Sequence, residues 1–419
     1  MTQSWLMVAD DLTGAADCAI SFARSGMLSS VVFGEMDHTV SMPHVVSVDT
    51  ASRQRTAEVA ADIHRKVLEK YFKEDTLLYK KTDSTIRGQP AAELAETITF
   101  LKERGKRGFA VVTPAFPATG RTVERGSVLL DGKPLEESSL WKRDHTYKQA
   151  NLVGIFEDTG LKTVSVSLEK IREGELALSA HIRQLCIDGY DVAVFDTDTD
   201  DDMDILADVT LPMQEDVFWV GSGGLAASLA RKAGMDGQKL SPKIPESSYG
   251  VLTVVGSLSE ISRNAADQLA SCGEILHISV PPEIFLKGDM DLLRLQLDPV
   301  GAALRSGRNV LVDISLVENP NLALGQKLAG NLAQGLKPNL VTAGGLVLTG
   351  GDTAAAVLMA AGVGGIELVE EIESGVPLGI TMGSFRTMVV TKAGGFGTCN
   401  TLESAVTRIC QYIGHNRRI

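Results

Sequence analysis

The chain has 419 residues, 44% hydrophobic and 22% charged, with a formal net charge of −13. That is the composition of a water-soluble globular protein, and the length exceeds one ordinary core, so two domains are expected. The acidic balance offers no general basic surface for nucleic acid or anionic lipid, no apolar run reaches the length of a membrane span, and no basic-then-apolar leader opens the chain. Neither nucleic acid nor membrane is therefore an expected partner, and the location reads as cytoplasmic.

In chain order, short apolar runs alternate with helix-length segments. Strands are expected at 5–8, 31–33, 45–48, 77–79, 109–112, 192–195 and 217–220, with helices at 56–72, 91–104 and 176–187. The polar segment 236–248 carries two prolines and few apolar residues, which suits a linker. Beyond it the alternation restarts, with strands at 250–255, 275–278, 310–313, 346–349 and 388–390 and helices at 259–271, 292–305, 321–334 and 353–361. The expectation is an α/β protein of two domains, 1–235 and 249–419. Each has a mostly parallel sheet flanked by helices, with the active site in the cleft between them. The five cysteines, Cys18, Cys186, Cys272, Cys399 and Cys410, are scattered, so neither a disulfide framework nor a zinc site is indicated.

Two stretches of the first domain concentrate polar chemistry. Asp10 and Asp11 sit where the strand 5–8 hands over to a helix, the edge of an open α/β sheet at which ligands bind. One helix start needs one cap, so a pair of carboxylates points past capping. The run Lys80-Lys81-Thr82-Asp83-Ser84-Thr85-Ile86-Arg87-Gly88 crowds cations, a carboxylate and hydroxyls after the strand 77–79. Such a loop suits a small hydroxylated carboxylic acid. Lys81 or Arg87 would hold the carboxylate, and Asp83 and Ser84 would read hydroxyls, at about 1.5–3 kcal/mol per charge-assisted hydrogen bond. Arg53, after the strand 45–48, is a second cation for this pocket, and Arg121 is a weaker one.

In the second domain three glycine-bearing turns follow strands: Gly256-Ser257, Gly350-Gly351-Asp352-Thr353 and Gly394-Gly395. Glycine lets a phosphate approach the backbone, and a helix N-terminus supplies free N–H groups, so together the turns suggest a phosphate cradle. Asp352 could equally be a simple N-cap. Gly221-Ser222-Gly223-Gly224 looks like a close-packed helix start bordering the cleft. It lacks the well-placed downstream acidic residue of a dinucleotide site, and no GxxxxGK[ST] loop occurs.

Taken together, the Asp10–Ala15 run, the Lys80–Gly88 run, Gly350-Gly351-Asp352-Thr353 and Lys392-Ala393-Gly394-Gly395-Phe396-Gly397 resemble the four-carbon acid sugar kinase family over essentially the whole chain. The resemblance implies ATP-dependent 4-phosphorylation of a four-carbon sugar acid, D-threonate first, with D-erythronate or 3-oxo-tetronate as alternatives. It implies an acid-binding first domain contacting the substrate through Asp11, Arg53, Lys81, Thr82, Asp83 and Ser84. It likewise implies an ATP-binding second domain using Ser257, Gly350, Gly351, Asp352, Thr353 and Gly395. Mg²⁺ is the expected cofactor, with unassigned ligands, and Asp352 and Asp11 are the rival catalytic carboxylates. A non-catalytic sugar-acid-binding protein is the alternative of another class, and association into a homo-oligomer is left open.

Overall fold

The computed structural model describes residues 4–33, 43–143, 145–234, 243–287, 290–315 and 324–414. The chain divides into two units, Met1–Ser29 with Met42–Lys239 and Ser30–Ser41 with Leu240–Ile419. Within the expected linker, residues 236–242 lie outside the described residues, as do 321–323 of the helix expected over 321–334.

The N-terminal half carries β1 (Ser4–Ala9), β2 (Ser29–Val32), β3 (Val45–Asp49), β4 (Thr76–Lys81), β5 (Phe109–Thr113), the small antiparallel ribbon β6 (Arg121–Glu124), β7 (Ser127–Leu130) and β8 (Lys133–Pro134), then β9 (Thr163–Val166), β10 (Val192–Phe195) and β11 (Val217–Gly221). The first unit's main sheet runs β3-β1-β4-β11-β5-β10-β9, with every neighbour parallel. Its strands read as unbroken apolar runs because helices cover both faces. Trp5 of β1 packs 5.3 Å from Trp219 of β11 and 4.9 Å from Phe22, measured between ring centroids. The helices α1 (Leu12–Arg24), α2 (Ala57–Tyr71) and α3 (Pro90–Glu103) follow β1, β3 and β4. Since β3 lies on one side of β1 and β4 on the other, the connections diverge at β1. This is a topological switch point, which opens a crevice outside the strand ends.

The second unit carries β12 (Val251–Val255), β13 (Leu276–Val280), β14 (Val310–Ile314), β15 (Gly345–Thr349), β16 (Val363–Glu373), β17 (Val376–Gly383) and β18 (Met388–Lys392). Its strand order is β13-β14-β12-β15-β18-β17-β16-β2. The first five strands are parallel and the rest antiparallel. Here the switch point falls at β12, between β14 and β15. Val255, Leu269, Leu311, Val347, Val390 and Ile409 belong to its buried core.

Two features depart from the sequence reading. The strand expected at 31–33 goes with the second unit, because Val31 and Val32 pair with Ile366 and Gly365 on β16. The boundary therefore does not follow chain order. The ribbon β16–β17 was not anticipated, because Glu367, Glu370, Glu371 and Glu373 mask the apolar alternation of a half-exposed strand.

Candidate functional site

In the first unit β4 runs two residues past the expected strand. Lys80 and Lys81 are paired on the β11 side with Val220 and Gly221, and Lys80 also with Val8 of β1. As consecutive strand residues they point to opposite faces. Lys80, 1% exposed, turns toward α3, where its Nζ donates to Glu93 Oε2 at 2.6 Å and to the Lys81 carbonyl at 3.2 Å. Ser52 Oγ donates to the other Glu93 oxygen at 2.7 Å. Burial outweighs these partners and holds the Glu93 carboxyl above its ordinary value. Lys80 is therefore part of the scaffold.

Lys81 is buried and turns toward α1. A Cβ on Gly14 would lie 2.6 Å from both Lys81 Nζ and Asp11 Oδ1, so Gly14 makes room for the amine. Among the described residues no carboxylate lies within ion-pair distance of Lys81. Burial weakens its hold on the proton, but the surrounding acidic groups, Asp11, Asp10 and Asp83 among them, outweigh burial and keep the amine charged.

Arg53 is the hub of this cluster. Its Nε and Nη2 donate to Asp10 Oδ2 and Oδ1, each at 2.8 Å, and its Nη1 donates to Asp11 Oδ2 at 2.6 Å. Asp83 Oδ1 lies 3.7 Å from Nη2. Burial alone would raise Asp10, yet the paired guanidinium brings it below its usual value. Asp11 also caps α1 by accepting from the Gly14 N–H at 2.9 Å, so capping and clustering hold together. Asp83 caps no helix. It closes its own turn, accepting from Thr85 Oγ1 at 2.5 Å and from Arg87 Nε and Nη2 at 2.8 and 2.9 Å. Burial would raise Asp83, but Arg53 and Arg87 hold it well below the usual carboxylate range. Arg53 and Arg87 are taken up by aspartates whose planar carboxylates match the guanidinium fork, and Lys81 is left as the amine without an ion pair.

Around this cluster, Thr82 Oγ1 is buried without a hydrogen-bond partner among the described residues, and Ser84 is half-buried. Gly88, at φ +83°, brings its backbone so close that a Cβ would sit 2.7 Å from Asp10 Oδ2. Asp49 at the end of β3 accepts from the Ala51 N–H at 2.8 Å. Burial, with Asp11 and Asp10 nearby, pushes its carboxyl up to about 7. Asp49 and Glu93 escaped the sequence reading, and Gly14 and Gly88 entered it only as members of the Asp10–Ala15 and Lys80–Gly88 runs. Arg121, the weaker candidate, donates to the Thr119 carbonyl. Ser222 caps the helix Gly223–Ala233, and a Cβ on Gly223 would come 2.3 Å from Asp17 Oδ2, which is the close packing expected there.

In the second unit the three glycine turns converge at the ends of β12, β15 and β18. A Cβ on Gly256 would fall 1.9 Å from Thr353 Oγ1, and one on Gly394 would fall 2.3 Å from Ser257 Oγ. The Gly350 N–H donates to the Lys392 carbonyl at 2.9 Å, and the Gly256 N–H to the Thr349 carbonyl at 3.2 Å. Gly350, at φ +97°, is itself the N-cap of the helix Gly351–Ala360. Asp352 is therefore not the cap but an exposed first-turn carboxylate, 3.5 Å from Gln326 Nε2. Nothing lies within 4 Å of a Cβ on Gly395. Lys392 is 2% exposed and reaches Ser262 Oγ at 2.9 Å and the Ala393 carbonyl at 3.1 Å. Burial lowers its amine to about 8. Backbone N–H groups at a helix start, bare glycine edges and a buried amine make a cradle suited to phosphate oxygens.

Residues 5–229 match the family model described as a sugar-binding N-terminal domain, and residues 252–402 the one described as a nucleotide-binding C-terminal domain. The chain is 37% identical over 404 residues to a protein of Cupriavidus necator named D-threonate kinase, covering 94% of this chain and 95% of that one. It is 28% identical to a D-threonate kinase of Salmonella typhimurium (96% and 97% covered) and 28% identical to a 3-oxo-tetronate kinase of Methylobacterium radiotolerans (93% and 95% covered). A Salmonella typhimurium structure described as a putative tRNA synthase superimposes with a TM-score of 0.83 at 20% identity, over 98% of this chain and 100% of that one. At that identity the likeness is one of fold. Among the described residues no helix is long and apolar enough to cross a membrane.

Proposed function

Because this chain belongs to the four-carbon acid sugar kinase family, we propose that it transfers the γ-phosphoryl group of ATP to the 4-hydroxyl of a four-carbon sugar acid, D-threonate first, giving the 4-phosphate ester and ADP. The observation that carries the acid half of this reading is Lys81, a buried charged amine to which no carboxylate among the described residues is bonded, set among hydroxyl-reading groups. An organic carboxylate is the partner such an amine lacks.

Phosphoryl transfer asks for positioning and charge neutralisation rather than covalent help. Lys81 anchors the acid's carboxylate and so fixes which end of the molecule is presented for reaction. Arg53 keeps Asp10 and Asp83 ionised and, with its bond to Asp11, fixes the three carboxylates as acceptors for substrate hydroxyls. The unpartnered hydroxyl of Thr82, with Ser84, supplies further donors. The turns bearing Ser257, Gly350, Gly351, Thr353 and Gly395 hold the phosphates through backbone N–H groups. Mg²⁺, held at the phosphates with a carboxylate, would supply charge neutralisation there; among the described residues no cluster of three or more ligating side chains forms an all-protein cage. Of the two rival carboxylates for the 4-hydroxyl proton, Asp352 and Asp11, we prefer Asp352 because it is exposed while Asp11 is tied to Arg53 and Gly14.

The test is a coupled assay of ADP release with D-threonate, D-erythronate and 3-oxo-tetronate. D-threonate should give the highest kcat/KM, and the product should carry phosphate on the terminal carbon. A higher kcat/KM on another of the three would reassign the acid. ADP release that no four-carbon acid stimulates would refute the reading.

A further inference from the structure

Outside the glycine cradle the second unit holds a buried arginine. Arg263 lies in the first turns of the helix Glu260–Ser271, which follows β12 and the Gly256-Ser257 turn. Its side chain is 10% exposed. Its Nε and Nη2 are fully buried and, among the described residues, have no hydrogen-bond partner. Its remaining nitrogen, Nη1, stands 3.9 Å from Asp313 Oδ2, too far for a hydrogen bond.

Asp313 does not compensate for this, because its oxygens are occupied by other groups. Ser279 Oγ donates to Oδ1 at 2.5 Å, and His277 Nε2 stands 3.1 Å from Oδ2. Burial weakens the arginine's hold on its proton, against the opposing pull of Asp313 and Asp267. Burying Nε and Nη2 without acceptors is costly, and an acceptor from a bound ligand would remove that cost.

Position narrows the identity of that acceptor. Asp313 pairs in register with Val255, the last residue of β12, so the arginine stands over the β12–β14 side of the switch point. The preceding residue, Ser262, donates to the Gly394 carbonyl at 2.9 Å and receives Lys392 Nζ. One helical turn thus fixes the glycine cradle and presents the arginine. The fork of Nε–H and Nη2–H matches two oxygens of one phosphate group, which a lone amine cannot do.

We propose that Arg263 is a ligand of the nucleotide phosphates, donating from Nε and Nη2 to phosphate oxygens at the end of β12. This rests on reading the second unit as the ATP-binding one. The experiment is calorimetric titration of the full chain, wild type, R263Q and R263K, with ADP and with adenosine, each variant first shown to be folded by circular dichroism. R263Q should weaken ADP roughly 10- to 100-fold and leave adenosine unchanged, and R263K, which keeps the charge but not the fork, should fall between. An effect that is only structural would weaken both ligands alike. ADP affinity within twofold of wild type in R263Q, or in R263K should R263Q not fold, overturns the assignment while the ATP reading stands. Failure of the wild-type protein to bind ADP overturns that reading and the arginine's role with it.

Discussion

Lys80 and Lys81 are adjacent in sequence, alike in chemistry and both buried, yet the strand assigns them different work, and this can be measured. Lys80→Met leaves Glu93, 2% exposed, as a carboxylate without its cation. Breaking a buried pair by removing one member costs about 3–5 kcal/mol. Ser52 still donates to Glu93, and burial already favours the neutral acid, so the loss should sit at the lower end of that range and shrink as pH falls. Lys81→Met removes an amine with no bonded carboxylate, so stability should change by about 1 kcal/mol or less. It should instead remove the anchor of the acid, a charge-assisted bond of about 1.5–3 kcal/mol, and so lower kcat/KM for the acid roughly 10- to 150-fold with KM for ATP within about twofold. Urea unfolding at pH 7, followed by the fluorescence of the core residues Trp5 and Trp219, reads the first effect, and the coupled ADP assay reads the second. Equal stability losses in the two variants, or an unaltered acid KM in Lys81→Met, would refute the division of labour.

Asp352→Asn should lose turnover while acid binding, measured by calorimetry, survives; near-normal kcat would remove Asp352 as proton acceptor. Gly256→Ala places a methyl 1.9 Å from Thr353 Oγ1, so the turns must part. KM for ATP should rise about tenfold or more, at a stability cost of about 1–3 kcal/mol, while the acid KM holds; unchanged ATP kinetics would detach this turn from the nucleotide. Asp49 titrates near 7 in the folded chain against an ordinary 3.8, so the native state binds the extra proton between those values. Its contribution to stability is present below about pH 4 and is lost as pH rises through about 7. Asp49→Asn should flatten that part of the ligand-free stability profile, and an unchanged slope between pH 4 and 7 would assign the titration to another group.

Much of the architecture was written locally. Parallel strands buried on both faces show as apolar runs whatever their neighbours, and amphipathic helices show by their own period, so the α/β alternation and the turns at strand ends were legible. The functional classes were legible too, since carboxylates with cations in one half and glycine turns in the other are properties of residue type. Pairing between distant strands was not legible. It moved β2 into the second unit, produced the ribbon β16–β17 and lengthened β4 to Lys81. That last change alone decides which lysine meets Glu93 and which faces α1.

A one-dimensional string shows that a charge exists but not what neutralises it. Arg53 and Arg87 read as open cations until the fold set three aspartates against them, and Arg263 reads as an ordinary helix arginine until burial leaves it without acceptors among the described residues. Composition and spacing thus determined which chemistry this protein carries. Only tertiary contact, by pairing some charges and stranding others in low dielectric, decided which of them remain available to a ligand.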